Sequence, residues 1–284
     1  MRHITLILPL TLALTSCMNF VDTGPPDMQT MKESRPVGST KELSVRLTYD
    51  VGALEVRSAH GGDLFSFNLD YDARRSSPRF DFNEGDRATL TLSTNSHHGF
   101  SGSNKRDNDL NLRLTDAVPM DLDFTTGVSD SSLDMTDLQI KQFRLRGGVG
   151  RTDVSFDHPA KEPMSSLDVE SGVGNLTIRG LGNARVERVR VNGGVGRTEL
   201  DFTGDVKDTN ADTEINVGVG QVRLLLPREA SITIEAEGSF LSNISAPSFD
   251  KNDRTYTHRG AENSTSKISI RVRSGVGGVT VELL

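Results

Sequence analysis

The sequence predicts an all-β protein, a β-solenoid in which coils of about 21–24 residues stack on one another. The main observation is the phrase Gly-Val-Gly, which occurs five times, with weaker forms at Gly127 and at Val51-Gly52. The first glycines from 127 to 218 are 21, 24, 22 and 24 residues apart. Such a regular period is typical of coils that bury a shared apolar strip. The predicted structural hinges are Gly148, Gly150, Gly172, Gly174, Gly194, Gly196, Gly218, Gly220, Gly275 and Gly277.

Apolar residues alternate with polar residues on both sides of each hinge. They lie five and three positions before the first glycine, and they recur two residues apart after the second. Because side chains alternate between the faces of a strand, these residues are predicted to share one inward face. Glycine at the hinge permits backbone angles that a side chain forbids, so each coil can turn tightly. The predicted inward residues are Leu122, Phe124, Phe143, Leu145, Val154, Phe156, Leu167, Val169, Leu176, Ile178, Val189, Val191, Leu200, Phe202, Thr213, Ile215, Val222, Leu224, Ile270, Val272, Val279 and Val281.

Residues 1–16 are predicted to be a lipoprotein signal peptide. A basic start precedes an apolar run from Ile4 to Leu14, which is too short to span a bilayer as a stable helix. In the bacterial lipobox, an aliphatic residue and two small residues precede a cysteine that is lipidated and becomes the mature N-terminus. The residues that resemble this motif are Leu14, Thr15, Ser16 and Cys17. The alternative is a plain signal peptide with an incidental cysteine.

Cys17 is the only cysteine of the chain, so it has no disulfide partner within it. Several acyl chains on this residue would anchor the protein stably to a membrane. We therefore expect a lipid-anchored protein of the bacterial cell envelope. Met18 in place of aspartate favours the outer membrane if the cell has two membranes.

Three further segments follow the signal peptide. Residues 17–41 hold the lipidated cysteine and a flexible tether with several prolines and glycines. Residues 42–115 show recurring strand patterns, which predict an antiparallel β region that caps the first edge of the coils. Residues 116–284 form the predicted solenoid. Its repeat lapses before Gly275, and the polar stretch 240–263 is taken as a loop or a degenerate coil.

The composition limits the classes of function. The chain has 284 residues, a formal charge of −7 and a pI near 5.4, which argue against an electrostatic nucleic-acid binder. No nucleic-acid partner is therefore expected. With 27 glycines, no tryptophan and 5% aromatic residues, the composition fits a slender β-rich body better than a thick globular core.

Several motifs have an order shared with one family. They are the start Val118-Pro119, Gly127 followed by Leu133-Asp134-Met135, and the hinges at 148, 172, 194 and 218. On these residues the chain from 108 to 220 resembles the toast-rack domain of bacterial envelope proteins. Residues 43–82, with Tyr71 and Ser77-Pro78, look like the N-terminal partner segment of that domain.

This resemblance implies a β-solenoid without known catalysis. The carriers of the domain include the LiaF-like, cell-wall-active-antibiotics-response proteins, and in that branch the resemblance implies a role in restraining an envelope-stress sensor. This sequence differs from the branch, because it has a lipidation signal and lacks the transmembrane helices.

Glycine-rich and acidic segments offer weak signals for ligands. A dinucleotide loop at 147–150 would need a helix after the glycines, and a calcium-binding coil would need a nine-residue period, so neither fits. The acidic loop 205–214 lacks EF-hand spacing, and it is interpreted as a solvated turn, with a weak cation site as the alternative. Its polar residues are Asp205, Asp208, Asn210, Asp212 and Glu214.

Histidine and arginine residues also offer only weak signals for ligands. His97-His98 could ligate a metal, but no second histidine or cysteine cluster is near in sequence, so a surface loop is favoured and no metal site is predicted. Six arginines are interpreted as ordinary solvated strand faces, with contact to anionic glycans or lipid headgroups as the alternative. They are Arg144, Arg146, Arg179, Arg185, Arg188 and Arg190.

The sequence contains no recognisable catalytic motif. A nucleophile elbow, a zinc-protease motif and a phosphate loop are absent, and acylation would exclude Cys17 as a nucleophile. We expect a non-catalytic envelope lipoprotein that serves as a scaffold or binding module in envelope stress or surface adhesion. The expected partners are the membrane and an unidentified envelope protein or glycan, and no cofactor is expected. The alternatives are a polysaccharide lyase or hydrolase built on a β-helix, and a calcium-dependent adhesin.

Overall fold

The computed structural model describes residues 25–96, 108–238, 242–260 and 264–284, and this part of the chain is almost entirely β. Its strands join in one mixed, open sheet, and its single helix has four residues. No helix of the described ranges therefore reaches the length or hydropathy needed to cross a bilayer. The elements are β1 (Met28–Pro36), β2 (Glu42–Ala59), β3 (Asp63–Asp72), β4 (Ser76–Asn83), β5 (Arg87–Ser96), β6 (Asn108–Thr115), β7 (Met120–Asp134), β8 (Ile140–Ser155), β9 (Ser166–Arg179), α1 (Leu181–Ala184), β10 (Arg188–Asp201), β11 (Asn210–Leu226), β12 (Ser231–Gly238), β13 (Ser242–Ser245), β14 (Asp250–Asn252), β15 (Thr255–His258) and β16 (Lys267–Leu283).

Long parallel strands form the rungs of the solenoid. In spatial order they are β2, β7, β8, β9, β10, β11 and β16. Each strand continues through the repeated phrase, so a hinge is a bend within one strand. The rungs are in register at this phrase, with Val149 opposite Val173 and Val195 opposite Val219, for example. The predicted stack of repeated coils is confirmed.

The apolar residues of both halves of each rung lie in one core. All of the predicted inward residues are buried, and none is more than 4% exposed. The rings of Phe124 and Phe143, on adjacent rungs, meet edge to face with their centroids 5.4 Å apart. Burial of an aliphatic or Phe side chain stabilises the fold by about 1.5–3 kcal/mol, so each rung depends on its neighbours to cover it.

The N-terminal region combines antiparallel and parallel pairs. The pairs β4–β5, β3–β6 and β1–β3 are antiparallel, as predicted. However, β2 pairs in parallel with β7 along its length, and its two halves pair in parallel with β5 and β6. The first rung of the solenoid is therefore β2 itself, and the antiparallel strands lie beyond it.

The segment predicted as a flexible tether is partly folded. Residues 28–36 form strand β1, which pairs with β3 from Met28, opposite Asp72, to Pro36, opposite Asp63. No side chain of β1 is buried, so the strand is held mainly by backbone hydrogen bonds and lacks the apolar alternation of the rungs. Its charged residues and Pro36 are typical of an edge strand that resists pairing with another chain.

The C-terminal strand does not occupy the last place in the stack. β16 lies between β11 and β12, in parallel register with both. The coil before it is split into β12 and β13, which pair with the first and second halves of β16. The charged run 250–254 lies in and between β14 and β15, which pair antiparallel. In the stretch 240–263, which the sequence predicts to be a loop or a degenerate coil, β13 is the second piece of this split coil and β14 and β15 form a hairpin; residues 239–241 and 261–263 lie outside the described residues.

Opposite charges alternate along one outward column of the stack. The residues of this charge column lie opposite one another on successive strands, from β2 through β16 to β12. In spatial order they are Arg46, Asp123, Arg144, Asp168, Arg190, Glu214, Arg271 and Glu235. Like charges directly opposite each other destabilise a sheet. Without β16, Glu214 would lie opposite Glu235, so the alternation favours the observed position of the C-terminal strand.

Candidate functional site: an exposed valine ridge

The bends of the rungs depend on two columns of glycine. The second glycine of each phrase has a positive φ, from 136° at Gly150 to 151° at Gly220. A residue with a Cβ would be strained in this conformation. The first glycine does not have a positive φ, so a different cause must explain it.

That cause is the close approach of neighbouring rungs. A Cβ at Gly172 would overlap the carbonyl oxygen of Gly148, and a Cβ at Gly218 would lie 2.8 Å from the carbonyl oxygen of Gly194. The second glycines meet the same obstacle, since a Cβ at Gly174 would overlap the carbonyl oxygen of Gly150. The glycines therefore allow both the bend and the stacking of one bend on the next.

Between the two glycine columns lies a row of exposed valines, which we call the valine ridge. Each side chain is about half exposed, with values from 47% to 51%. Of the seven exposed large apolar residues among the described residues, five are these valines. The valine ridge comprises Val149, Val173, Val195, Val219 and Val276. Rungs lie about 4.8 Å apart, so the ridge is about 19 Å long.

The five valines form one contiguous row, whereas exposed apolar residues on a protein surface are normally scattered singly. Most apolar residues of the rungs point inward, but the residue between the two glycines points outward in every copy. Val51 and Val128 continue the row on β2 and β7 with lower exposure, since both are partly buried. The sequence carried the signal, because valine separates the glycines in every copy of the phrase. The glycines drew attention as hinges, and the valines between them were missed.

Polar residues flank the ridge on the side of the first strand half. Asn216 Nδ2 donates to Asn192 Oδ1 at 3.0 Å. Arg273 Nε donates to Glu237 Oε2 at 2.6 Å, and its Nη1 donates to Glu214 Oε1 at 2.8 Å. Hydrogen bonds from Asn216 and Arg273 lower the pKa of Glu214 below its ordinary value. An open depression beside the ridge is lined by Asn192, Asn216, Glu237 and Arg273, together with Gly218 and Gly275.

On the other side of the ridge, charged residues also alternate with neutral ones. Arg151 and Arg197 lie on either side of Asn175, as the repeat predicts. Farther from the ridge, Arg223 donates to Glu282 at 2.9–3.0 Å and to Glu199 at 3.3 Å. These pairs raise the pKa of Arg223 and lower that of Glu282.

The acidic loop does not gather into one site. Asp205 Oδ1 accepts from the Lys207 amide, and Asp208 accepts from Thr265 Oγ1 at 2.7 Å. Asp212 pairs with Arg271 at 3.2 Å, and Glu214 pairs with Arg273 at 2.8 Å. Asn210 begins strand β11. Within the described ranges, no three side chains of His, Cys, Asp or Glu are placed to hold a metal ion.

The six arginines lie on several rungs rather than in one patch. Arg146 contacts Asp123 at 3.1 Å, Arg179 contacts Asp153 at 3.6 Å, and Arg190 contacts Asp168 at 3.0 Å. Arg144 and Arg188 stand on β8 and β10, opposite Asp168 and Asp212, and Arg185 follows α1. Acidic neighbours thus separate the basic residues. The residues of the lipobox, Cys17 and His97-His98 lie outside the described residues.

Tyr49 is the most strongly perturbed ionisable residue described, and it is structural. Its ring is fully buried, and its hydroxyl donates to the carbonyl oxygen of Ala53 at 2.8 Å. Burial raises the pKa of this hydroxyl well above its usual range. A Cβ at Gly52 would lie 2.5 Å from the same hydroxyl, so this tyrosine fills the bend of the first rung.

Comparisons with solved structures give distant similarities in fold. A candidate cell adhesion protein from Clostridium sporogenes is 18% identical, with a TM-score of 0.49, and the match covers 90% of this chain and 100% of that one. A candidate adhesin from Bacteroides fragilis is 12% identical, with a TM-score of 0.39, and the match covers 89% and 97%. At these identities and TM-scores the similarities support no functional argument.

Comparison of sequences identifies the family. No curated protein matches the chain with significance. The family model described as the N-terminal domain of toast_rack, DUF2154, matches residues 24–179 and again residues 160–225. Together these matches span more than half of the chain, and they include the rungs from β2 to β10 and most of β11. The chain therefore belongs to the toast-rack domain family.

Proposed function

We propose that this protein is a non-catalytic scaffold of the bacterial cell envelope, anchored through acylated Cys17, and that the valine ridge is its contact surface. In a cell with two membranes the anchor lies in the outer membrane. The observation that carries the proposal is the row of valines held half-exposed by glycines on both sides. Apolar surface in contact with water costs free energy, and contact with another envelope component removes that cost.

The arrangement of carboxylates supports a role without catalysis. Hydrolysis of glycans requires two carboxyl groups that flank the scissile bond, with one of them free to act as an acid. In the described rungs, Asp168, Glu214 and Glu282 each contact an arginine on a neighbouring strand. These charges hold rungs together, and the lowered pKa values of Glu214 and Glu282 oppose a role as proton donors near neutral pH.

The anchor is tested by the substitution Cys17→Ser in the full chain. We expect loss of acyl labelling and release of the protein from the membrane fraction. Continued acyl labelling of this variant would refute the assignment of Cys17.

The contact surface is tested by thiol accessibility. Because Cys17 is the only native cysteine, its acylation leaves an introduced cysteine as the only free thiol. In native membranes Val195→Cys should react with a maleimide more slowly than in detergent, whereas Thr280→Cys, at an exposed position away from the ridge, should react equally in both. Equal reactivity of the two variants in membranes would show that nothing covers the ridge.

A further inference from the structure

We propose that the valine ridge rests on the surface of an anionic phospholipid bilayer, so that the anchored protein lies along the membrane. The inference rests on the proposed anchor and contact surface, and it identifies what covers that surface. It depends on three observations: where the chain leaves the described structure, how large the ridge is, and which charges flank it.

The chain leaves the described structure near one end of the valine ridge. In β1, Gln29 lies opposite Tyr71 of β3, and Tyr71 lies opposite Asn108 of β6. The side-chain amide of Asn108 donates to the carbonyl oxygen of Val51 at 2.9 Å, and Val51 continues the row of valines. About three strand spacings, or roughly 14 Å, therefore separate the start of β1 from the bend of the first rung.

The short connection to Cys17 keeps this end of the ridge near the membrane. Seven residues lie between Cys17 and Pro25, the first described residue. The eight residue steps from Cys17 to Pro25 span at most about 29 Å even when fully extended. A lipid anchor at Cys17 would thus hold the bend of the first rung close to the headgroups, and rotation about the connection brings the rest of the ridge to the same surface.

The size of the ridge favours a bilayer over a second copy of the chain. A strip about 19 Å long and about 10 Å wide offers roughly 200 Å². A stable interface between two proteins needs about 800 Å² on each partner. A tethered protein needs much less, because the anchor keeps the ridge and the bilayer at high effective concentration.

The charges beside the ridge are less acidic than those of the chain as a whole. The strip is defined by residues 146–151, 170–175, 192–197, 216–221 and 273–278, and it holds four arginines and one glutamate, a net charge of +3. The whole chain has a net charge of −7. Arg146, Arg151 and Arg273 pair with Asp123, Asp153 and Glu237 just outside the strip, and these carboxylates offset part of the positive excess. Arginine near an anionic bilayer is attracted to the headgroups.

The absence of native tryptophan provides a direct test. Val276→Trp places one tryptophan on the ridge, and Thr280→Trp places one at an exposed position on the same strand as a matched control. Each acylated full-length variant is incorporated into vesicles of phosphatidylethanolamine and phosphatidylglycerol with brominated acyl chains. We expect emission at shorter wavelength and about twofold stronger quenching for Val276→Trp, because an interfacial apolar face reaches the acyl boundary.

Two further experiments distinguish failure of the proposed anchor from failure of the proposed contact between the ridge and the bilayer. The same tryptophans in a Cys17→Ser chain, held by an N-terminal hexahistidine on nickel-chelating lipids, test the ridge without acylation. Equal quenching of the two variants in both formats would overturn the proposal. A blue shift of Val276→Trp in native envelope membranes but not in pure lipid would also overturn it, since a protein would then cover the ridge. Failure of the acylated chain to join vesicles, with quenching intact on nickel lipids, would reject only the anchor.

Discussion

Glu214 of β11 and Arg271 of β16 lie directly opposite each other, although the chain between them forms four other strands. On the other side of Arg271 lies Glu235 of β12. The C-terminal strand thus separates two glutamates that belong to consecutive coils of the sequence. This relationship explains the order of the last rungs in electrostatic terms, and it can be tested directly.

Reversal of the charge at Arg271 should destabilise the last rungs. Arg271→Glu would place three glutamates in a row and would also repel Asp212, which Arg271 contacts in the native protein, whereas Arg271→Gln removes only the attraction. Cross-strand charge pairs contribute about 0.2–1 kcal/mol, so the free energy of unfolding of the Glu variant should be about 1 kcal/mol lower than that of the Gln variant. Urea denaturation measures this difference, which should shrink at high salt. Equal stabilities of the two variants would contradict the role of the charge column.

The glycine columns predict that two adjacent glycines differ sharply in how much stability the protein loses when each is replaced by alanine. Gly277 has φ 140°, and its Cβ would overlap the carbonyl oxygen of Gly220, whereas a Cβ at Gly278 would meet only the Asn243 oxygen at 3.7 Å. Gly277→Ala should lower the free energy of unfolding by about 3 kcal/mol or more, since backbone strain adds to the clash. Gly278→Ala should change it by less than about 1 kcal/mol. Thermal unfolding followed by circular dichroism distinguishes the two, and similar losses would argue against close rung stacking.

Two valines of β10 should respond differently to the same substitution. Val191 is 0% exposed in the core, and Val195 is 51% exposed on the valine ridge. Val191→Ala removes buried methyl groups and should cost about 1–3 kcal/mol. Val195→Ala should change the stability of the purified protein by less than about 0.5 kcal/mol. A large loss at Val195, measured by urea denaturation, would mean that the ridge contributes to folding rather than to contact.

The Glu282–Arg223 pair predicts part of the acid sensitivity. Hydrogen bonds from Arg223 lower the pKa of Glu282 from its ordinary value of 4.5 in the folded protein. A lowered carboxyl pKa stabilises the fold above the unfolded value and loses this contribution as pH falls through the folded value. The stability difference between the native protein and Glu282→Gln should therefore be largest near neutral pH and decrease below about pH 4.5. A difference that stays constant from neutral to acid pH would exclude this linkage.

The rungs could be predicted because their signals are local. Alternation places Phe143 and Leu145 on one face of a strand, and the regular period aligns them with the next coil. The insertion of β16 could not be predicted in this way, since it pairs residues far apart in sequence. The charge of Arg271 between Glu214 and Glu235 favours this position of β16. This alternation of charges can be recognised only when the register of the rungs is known.

The site was only partly predictable for a related reason. Sequence reasoning explains the glycines by their conformational freedom, and this explanation is right for Gly174, which has a positive φ. It is not the explanation for Gly172, where the neighbouring rung leaves no room for a side chain. Knowledge of that contact requires the distance between rungs. Similarly, the prolines and glycines around β1 predict a tether, whereas the pairing of this strand depends on backbone groups, which leave little trace in the side-chain pattern.

The charge column has a consequence for how such a protein can change in length. Each coil contacts only its two neighbours, so duplication or loss of one coil leaves the contacts among the other coils unchanged. However, one extra coil inserted between Asp168 and Arg190 would set two like charges face to face on one side or the other. Two extra coils of opposite sign would keep the pattern. Addition of an even number of coils therefore preserves the alternation of charges, whereas addition of an odd number requires a compensating substitution in the charge column.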